Sequence, residues 1–518
     1  MLAMVVARRA VPPATKRAAR LSSAARLSSS YSPHSGTART LSASTAPVVD
    51  SSDPGEEDAP GHFDHEEFIE SFLGAVVDLP TCTDPARSSA ALSCLVKTKH
   101  LKYTDMQQAP EKFFMAHRLL STVGLSGFGI RFTVQFNLFA GSILGLGGRE
   151  QVASLDAMQD SGALGCFLLT EKQAGVLSGL VVETTAEYDH ARQEFTVHTP
   201  KDSSAKNWIS QGYTASLGVV IADLRVNGKS HGPHPFLMRM RDEGGVLLPG
   251  IRIEDMGAKT VANDLDNARV WFDNVALPKN ALLNRFADIS EEGEYVQLGE
   301  ERMRIEVIGQ RLMTGRMAIA EAALFCARAV HMKTEEYAKS KVCNGLAGET
   351  RLAQMPQLAA CFSESCAEIA ASLVSRRGWT YDGGHSSHPP GRYSELDRLI
   401  GYTAGVEARL NACLRSGAIP DSDLVDAIAV AKIRCIEVAT RRVHALRQEV
   451  GSYALMHATG FELGEPLSLR SPLGRRTLPT LPAPFRASDT RLTFLIWQST
   501  CCSAANLPRA TLASCSRS

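Results

Sequence analysis

The sequence predicts an α+β protein: an N-terminal α-helical domain, a central antiparallel β domain and a C-terminal α-helical bundle. Three observations predict it. Apolar residues recur three and four apart in "FIESFLGAVVDL", "APEKFFMAHRLLSTV" and "REQVASLDAMQ". Short alternating runs then follow, with an Asn227-Gly228 pair set between "GVVIADLRV" and "HPFLMRM". Helical spacing returns over 305–332 and again after Pro420.

Residues 1–49 hold no acidic side chain, while Arg8, Arg9, Lys16, Arg17, Arg20, Arg26 and Arg39 stand among Ala, Ser and Leu. That composition reads as a mitochondrial or plastid transit peptide. The chain ends Cys-Ser-Arg-Ser rather than in the peroxisomal Ser-Lys-Leu address. Residues 50–65 form an acidic linker, and 66–160 the helical domain. Within it "GSILGLGG" lacks the closing Gly-Lys-Ser/Thr of a phosphate loop and reads as a helix end and turn. Residues 161–291 are the β domain, in which "ARVWFDNVALP" reads as one strand closed by Pro278. The bundle occupies 292–465. Gly309 and Gly315 are spaced on its first long helix to let a neighbour approach, and Leu424, Ile428, Ala431, Cys435 and Val438 repeat along the second. From 466 to 518 the chain turns rich in Pro, Arg and Ser, and periodicity is lost. This stretch reads as disordered, or as the product of a frameshifted or misspliced gene model.

With 55 basic and 55 acidic side chains the net charge is zero, which offers nothing to a nucleic acid. No apolar run reaches the roughly 18 residues of a membrane span. Twelve cysteines without a C-x-x-C pair predict reduced thiols, and no histidine pair has carboxylates at ligand spacing, so no metal is expected.

The stretch Gly165–Gly175, "GCFLLTEKQAG", runs an apolar strand into Thr170 and Glu171; "KNWISQG" follows about forty residues on. Thr170 offers a hydroxyl and an amide at a strand end. Trp208 and Ser210 offer a planar face and a second hydroxyl two residues apart. A buried flat ring needs such groups, because each polar atom left unpaired costs about 1–3 kcal/mol. Glu171 reads as a structural or solvent-facing partner rather than a base.

Together with "MGAKTVANDLDNARVWFDNVALPKNALL", these segments resemble the acyl-CoA dehydrogenase and acyl-CoA oxidase superfamily over about 109–463, and "EKFFMAHRLL", "GSILGLGGREQ" and "DLDNARVWFDNV" resemble its oxidase branch. The resemblance implies FAD as cofactor, held by Thr170 and Ser210, lined or bonded by Phe167 and Leu169, covered by Trp208 and approached at Gly212. It implies Ser178 as a contact of the acyl-CoA, although the family's serine falls where Val176 stands. It implies a fatty acyl-CoA substrate, O2 as electron acceptor, a 2,3-trans double bond as product, a homo-dimer or tetramer, and a peroxisome as the alternative destination. The family's catalytic glutamate lies in a segment of the type F-x-E-G-[DE], and no such segment follows "EVGSYALMHATGFE". Glu462 and Glu465 are the nearest carboxylates, so the catalytic residue stays unassigned. A catalytically silent FAD or acyl-CoA binder, or a dehydrogenase passing electrons to a protein carrier, are the alternatives.

Overall fold

The computed structural model describes residues 63–455, apart from 78, 80–83, 123–125, 176–177, 179, 261, 346–347 and 363–394. Residues 1–62, Val176, Glu462, Glu465 and residues 466–518 lie outside the described residues, and with them the expected transit peptide, most of the expected acidic linker and the expected aberrant tail.

Helices come first: α1 (His65–Val77), α2 (Pro85–Lys97), α3 (Asp105–Gln108), α4 (Pro110–Thr122), α5 (Ser126–Thr133), a π-helical run Val134–Ala140, α6 (Gly141–Leu146) and α7 (Arg149–Ser161). Local chemistry sets their ends. Asp84 accepts from the Ala86 amide at 2.9 Å with Pro85 in the first turn, and α7 stops at Gly162, whose φ of 67° suits a residue without Cβ. Phe132, Phe136 and Phe139, three and four apart, are buried together with Phe113 in the helical core. "GSILGLGG" is the end of α6 and the turn into α7, as its sequence predicts.

The strands are β1 (Gly165–Leu168), β2 (Thr185–Asp189), β3 (Glu194–His198), β4 (Lys206–Ser210), β5 (Leu217–Val226), β6 (Lys229–Arg239), β7 (Ile251–Asp255), β8 (Asn267–Phe272), β9 (Val275–Pro278), β10 (Ala287–Ile289) and β11 (Tyr295–Gln297). One sheet runs β1-β5-β2-β3-β9 with β6 on the far side of β5; a second runs β4-β8-β7. Asn227 and Gly228, both at positive φ, close the β5–β6 hairpin as expected. One expectation is refined and one corrected. The domain is mostly antiparallel, as expected, but the larger sheet is mixed, because β1 and β2 both lie parallel to β5. "ARVWFDNVALP" is two strands, not one: Asn274 takes a φ of 52°, and the turn sends β8 to one sheet and β9 to the other.

The bundle consists of α8 (Met303–Ser340), the ribbon β12 (Val342–Gly345) and β13 (Gly348–Arg351), α9 (Glu395–Ser416) and α10 (Ser422–Val450). Asp421 caps α10 by accepting from the Leu424 amide at 2.7 Å, and the apolar stripe from Leu424 to Val450 is buried. A Cβ on Gly315 would meet Asn137 at an ordinary 3.6 Å. The close approach belongs instead to α6, where a Cβ on Gly145 would lie 2.8 Å from Val307.

The parallel pairings create a structural problem that one buried ion pair solves. Leu217–Val220 of β5 pair with β1, and Asp223–Arg225 of the same strand pair with β2 along the same edge. Between them the chain leaves the sheet from Leu169 to Thr184, stranding ladder groups. Lys206, fully buried, reaches into the break and donates to Ile221 O at 2.7 Å, Leu169 O at 3.3 Å and Glu171 Oε1 at 3.0 Å. Glu171, equally buried, accepts the Glu183 amide at 2.9 Å and the Thr184 amide at 2.9 Å where β2 begins. Burial pushes the Lys206 ammonium down to about 8, while Glu171 pulls it up.

Removing one member leaves the other as an uncompensated buried charge. Lys206→Met is therefore expected to cost about 3–5 kcal/mol in urea unfolding. The double variant Lys206→Met/Glu171→Met should remain about 2 kcal/mol or more below the parent, because the backbone groups at the break lose their partners as well. Full recovery in the double variant would show that the pair does not close the break.

Candidate flavin-facing edge

The strand period divides the end of β1 between two environments. Cys166 and Leu168 are buried between the sheets, whereas Phe167 and Leu169 are buried against the helical layer with Phe136, Phe139 and Met317. On the edge away from β5 the Gly165 amide donates to Gln135 Oε1 at 2.9 Å, and its carbonyl accepts from Gln211 Nε2 at 2.8 Å. Backbone groups of alternate residues share an edge in a parallel strand, so Phe167 presents its N–H and C=O there too. The Leu169 carbonyl is taken by Lys206. Thr170 is exposed, and its carbonyl accepts from the Asn207 amide at 2.8 Å.

That bond, together with the antiparallel bridge between Glu171 and Lys206, sets β4 beside the end of β1. The pairing of β4 with β8 then shifts between Lys206 and Ile209. At this bulge Trp208 adopts a φ of 58° and is 56% exposed, while Ile209 next to it is buried. A bulky residue in left-handed backbone carries strain of about 1–3 kcal/mol, and here the bulge turns the indole outward. Ser210 is half-buried, and its Oγ accepts from Asn267 Nδ2 at 3.1 Å, leaving its own proton available to a further acceptor. Gly212 is buried; a Cβ there would lie 2.9 Å from Ile209 and 3.0 Å from Ala268, so its small size serves packing of its own chain. Ser178 is exposed, and its hydroxyl both donates to the Gly175 carbonyl and accepts its amide, at 2.8 and 3.1 Å. It closes a local turn.

The structure thus brings Thr170 and Trp208 onto bridged neighbouring segments, with Ser210 two residues further along β4 and Phe167 along the β1 edge. The turn after β4 is tied down by Asp266, which accepts the Tyr213 amide at 2.7 Å and the Thr214 hydroxyl at 3.0 Å. Asp266 is in turn held by the fully buried Arg131 at 2.6 Å. An exposed indole, an exposed hydroxyl without a partner among the described residues and a strand edge, all on a rigid base, fit a flat ring with a polar rim.

Two open cavities lie elsewhere. One of about 1140 Å³ runs between the start of α7 and β9, lined by Gly148, Arg149, Pro278 and Arg285; the other, about 1060 Å³, covers β2 and β3. Neither is lined by a residue assigned to the flavin or the acyl-CoA. Among the described residues no group of three His, Cys, Asp or Glu could hold a metal ion, and no helix is long and apolar enough to cross a membrane.

Sequence reasoning missed the supports. Gln135 reaches Tyr103 Oη at 2.6 Å, the Ala163 carbonyl at 3.1 Å, the Gly165 amide and Gln211, joining the π-helical run to β1 and β4. A lone glutamine inside the apolar run "FTVQFNLF" was the available signal. Lys206 and Glu171 each sit beside a quoted motif, but nothing in the linear order pairs them.

No family model matches the chain. The Arabidopsis thaliana protein "Acyl-coenzyme A oxidase 3, peroxisomal" is 33% identical over 228 residues, 43% of this chain and 34% of its own length. The Homo sapiens "Peroxisomal acyl-coenzyme A oxidase 3" is 33% identical over 230 residues, 43% of this chain and 32% of its own. The matched region thus spans about a third of the length of these relatives. Among solved structures, acyl-CoA oxidase 1 from Yarrowia lipolytica shares the fold with a TM-score of 0.59 at 20% identity, over 76% of this chain and 57% of that one. Acyl-CoA oxidase 2 from Caenorhabditis elegans, bound with FAD, ascaroside-CoA and ATP, does so with a TM-score of 0.54 at 18% identity, over 76% and 56%. Butyryl-CoA dehydrogenase from Megasphaera elsdenii gives 0.53 at 20% identity, over 76% and 90%. In its matched segments the chain is similar to acyl-CoA oxidases, and in fold it is similar to solved acyl-CoA oxidases and acyl-CoA dehydrogenases.

Proposed function

We propose that this chain is an FAD-dependent acyl-CoA oxidase that introduces a 2,3-trans double bond into a fatty acyl-CoA, with O2 as electron acceptor. The observation that carries this reading is the outward-turned Trp208 beside the Thr170 hydroxyl, which has no partner among the described residues. The sequence likeness to oxidases supports the choice of electron acceptor.

FAD held at this edge would supply the two-electron redox chemistry of the reaction, with O2 as the final acceptor. Thr170 and Ser210 donate hydrogen bonds to the polar rim of the ring. The Phe167 backbone adds a donor and an acceptor on the β1 edge, and Trp208 covers one face against water. Glu171 cannot take the acyl proton, since its carboxylate is buried and already accepts from Lys206 and two amides. None of these residues is the base. The absence of an F-x-E-G segment favours the second reading, a silent FAD or acyl-CoA binder. A dehydrogenase serving a protein electron carrier would share the same flavin edge. A homo-dimer or tetramer belongs to the oxidase reading, and the relatives' names favour the peroxisome over the mitochondrion or plastid.

The absorbance of the purified chain after addition of FAD tests this. Flavin bands that bleach anaerobically with a fatty acyl-CoA and recover in air with peroxide release are expected. Bands that never bleach would favour the silent binder, bands that bleach and stay bleached in air the dehydrogenase, and a colourless protein would overturn the flavin reading. Trp208→Ala should weaken FAD binding about tenfold, measured by flavin fluorescence quenching, since aromatic stacking contributes about 0.5–1.5 kcal/mol. A fluorescent fusion of the full chain should colocalise with a peroxisomal marker; a mitochondrial or plastid pattern would reinstate the reading of residues 1–49.

A further inference from the structure

Five Lys and Arg side chains are buried among the described residues, and four have acceptors. Lys206 meets Glu171, Arg118 meets Glu321 and Glu407, Arg131 meets Asp266, and Arg304 donates to Tyr295 Oη and Gln297 Oε1. Arg311, on α8, is 4% exposed, and its Nε and Nη1 have no hydrogen-bond partner among the described residues. A buried guanidinium without a counter-charge is a costly arrangement, which an anion relieves.

The surroundings are shaped for that side chain. Gly141 and Gly145, one turn apart on α6, leave the room it fills: a Cβ on Gly141 would sit 3.2 Å from Arg311 Cδ, and one on Gly145 would sit 3.3 Å from Nη2. On the other side of Gly145, Arg285 Nη1 donates to the Gly145 carbonyl at 3.3 Å. Arg285 is exposed and lines the 1140 Å³ cavity with Leu144 and Gly147. Two guanidiniums therefore flank one glycine, the outer at the wall of an open cavity and the inner without an acceptor. Burial and the charge of Arg285 together hold Arg311 down to about 10.

We propose that Arg311 and Arg285, on either side of Gly145, form a binding site for a small carboxylate anion that enters from the cavity between α7 and β9. The planar guanidinium fork matches a carboxylate, and the second cation adds attraction at the entrance. The site is separate from the flavin-facing edge and does not depend on the oxidase reading.

Sodium acetate is the probe, titrated into the full chain in a low-salt zwitterionic buffer while the midpoint of thermal unfolding is followed. A saturable rise in the midpoint is expected. Arg311→Met should keep the unspecific response to salt and lose the saturable part. Arg285→Gln, a change at the cavity wall, should fold normally and weaken half-saturation by about tenfold. A wild-type response that does not saturate would overturn the site, as would one that is unchanged in Arg285→Gln. Should Arg311→Met fail to fold, the Arg285→Gln titration decides alone.

Discussion

The arrangement of this protein depends on the ion pair of Lys206 and Glu171 at the break between β1 and β2. A parallel sheet edge cannot be interrupted cheaply, since every stranded N–H and C=O in a buried layer needs a partner. Here one ammonium and one carboxylate replace the missing ladder bonds, joining Leu169 O, Ile221 O and the amides of Glu183 and Thr184. The desolvation cost of two buried charges is offset because each has several well-placed partners rather than one. The break is what allows the chain to leave the sheet at Thr170. The same lysine begins β4, so the pair that repairs the sheet also places Trp208 next to Thr170.

A second set of polar contacts fixes this edge against the helices. Gln135 and Gln211 exchange a hydrogen bond at 3.1 Å and both bond Gly165. Arg131 spans from the helical layer to the loop before β8, donating to the Asp264 carbonyl at 2.9 Å and to Asp266. Both anchors arise from the helical stretch 126–140, part of which is π-helical. A wider helical turn rotates the side chains that follow it, and in this chain Gln135 and Asn137 emerge from that run toward β1 and α8 respectively. Rigidity at the edge is thus supplied from behind.

The class of fold was legible because each part carries its own period: Phe132, Phe136 and Phe139 at helical spacing, the Asn227-Gly228 turn, and the Asp421 cap ahead of a buried stripe. The hydroxyls and the indole were legible as types of group. Their environment was not. Trp208 is exposed because of a one-residue bulge, and no local rule places a bulge in "KNWIS". The parallel pairings are not legible because the β2–β3 hairpin and β4 lie between β1 and β5, and the direction of β1 depends on a partner about fifty residues away. Gly212 illustrates the same limit: Ile209 and Ala268 crowd the place where a Cβ would stand, which the linear sequence does not show.

The fate of buried charge separates structural groups from groups that await something. Glu171 stands in the motif that first suggested a flavin edge, yet its partners make it a structural anchor, and a proton acceptor must have an oxygen free toward the substrate. Thr170 and Ser210 show the opposite condition, since each retains a hydroxyl proton that no described side chain or backbone group accepts. Arg311 shows it more strongly, because an ionised group buried among glycines and apolar side chains has no solvent to turn to. Satisfied ions hold the sheet and the helical layer together, whereas the unsatisfied donors of Thr170, Ser210 and Arg311 are the groups to which the proposed ligands would bond.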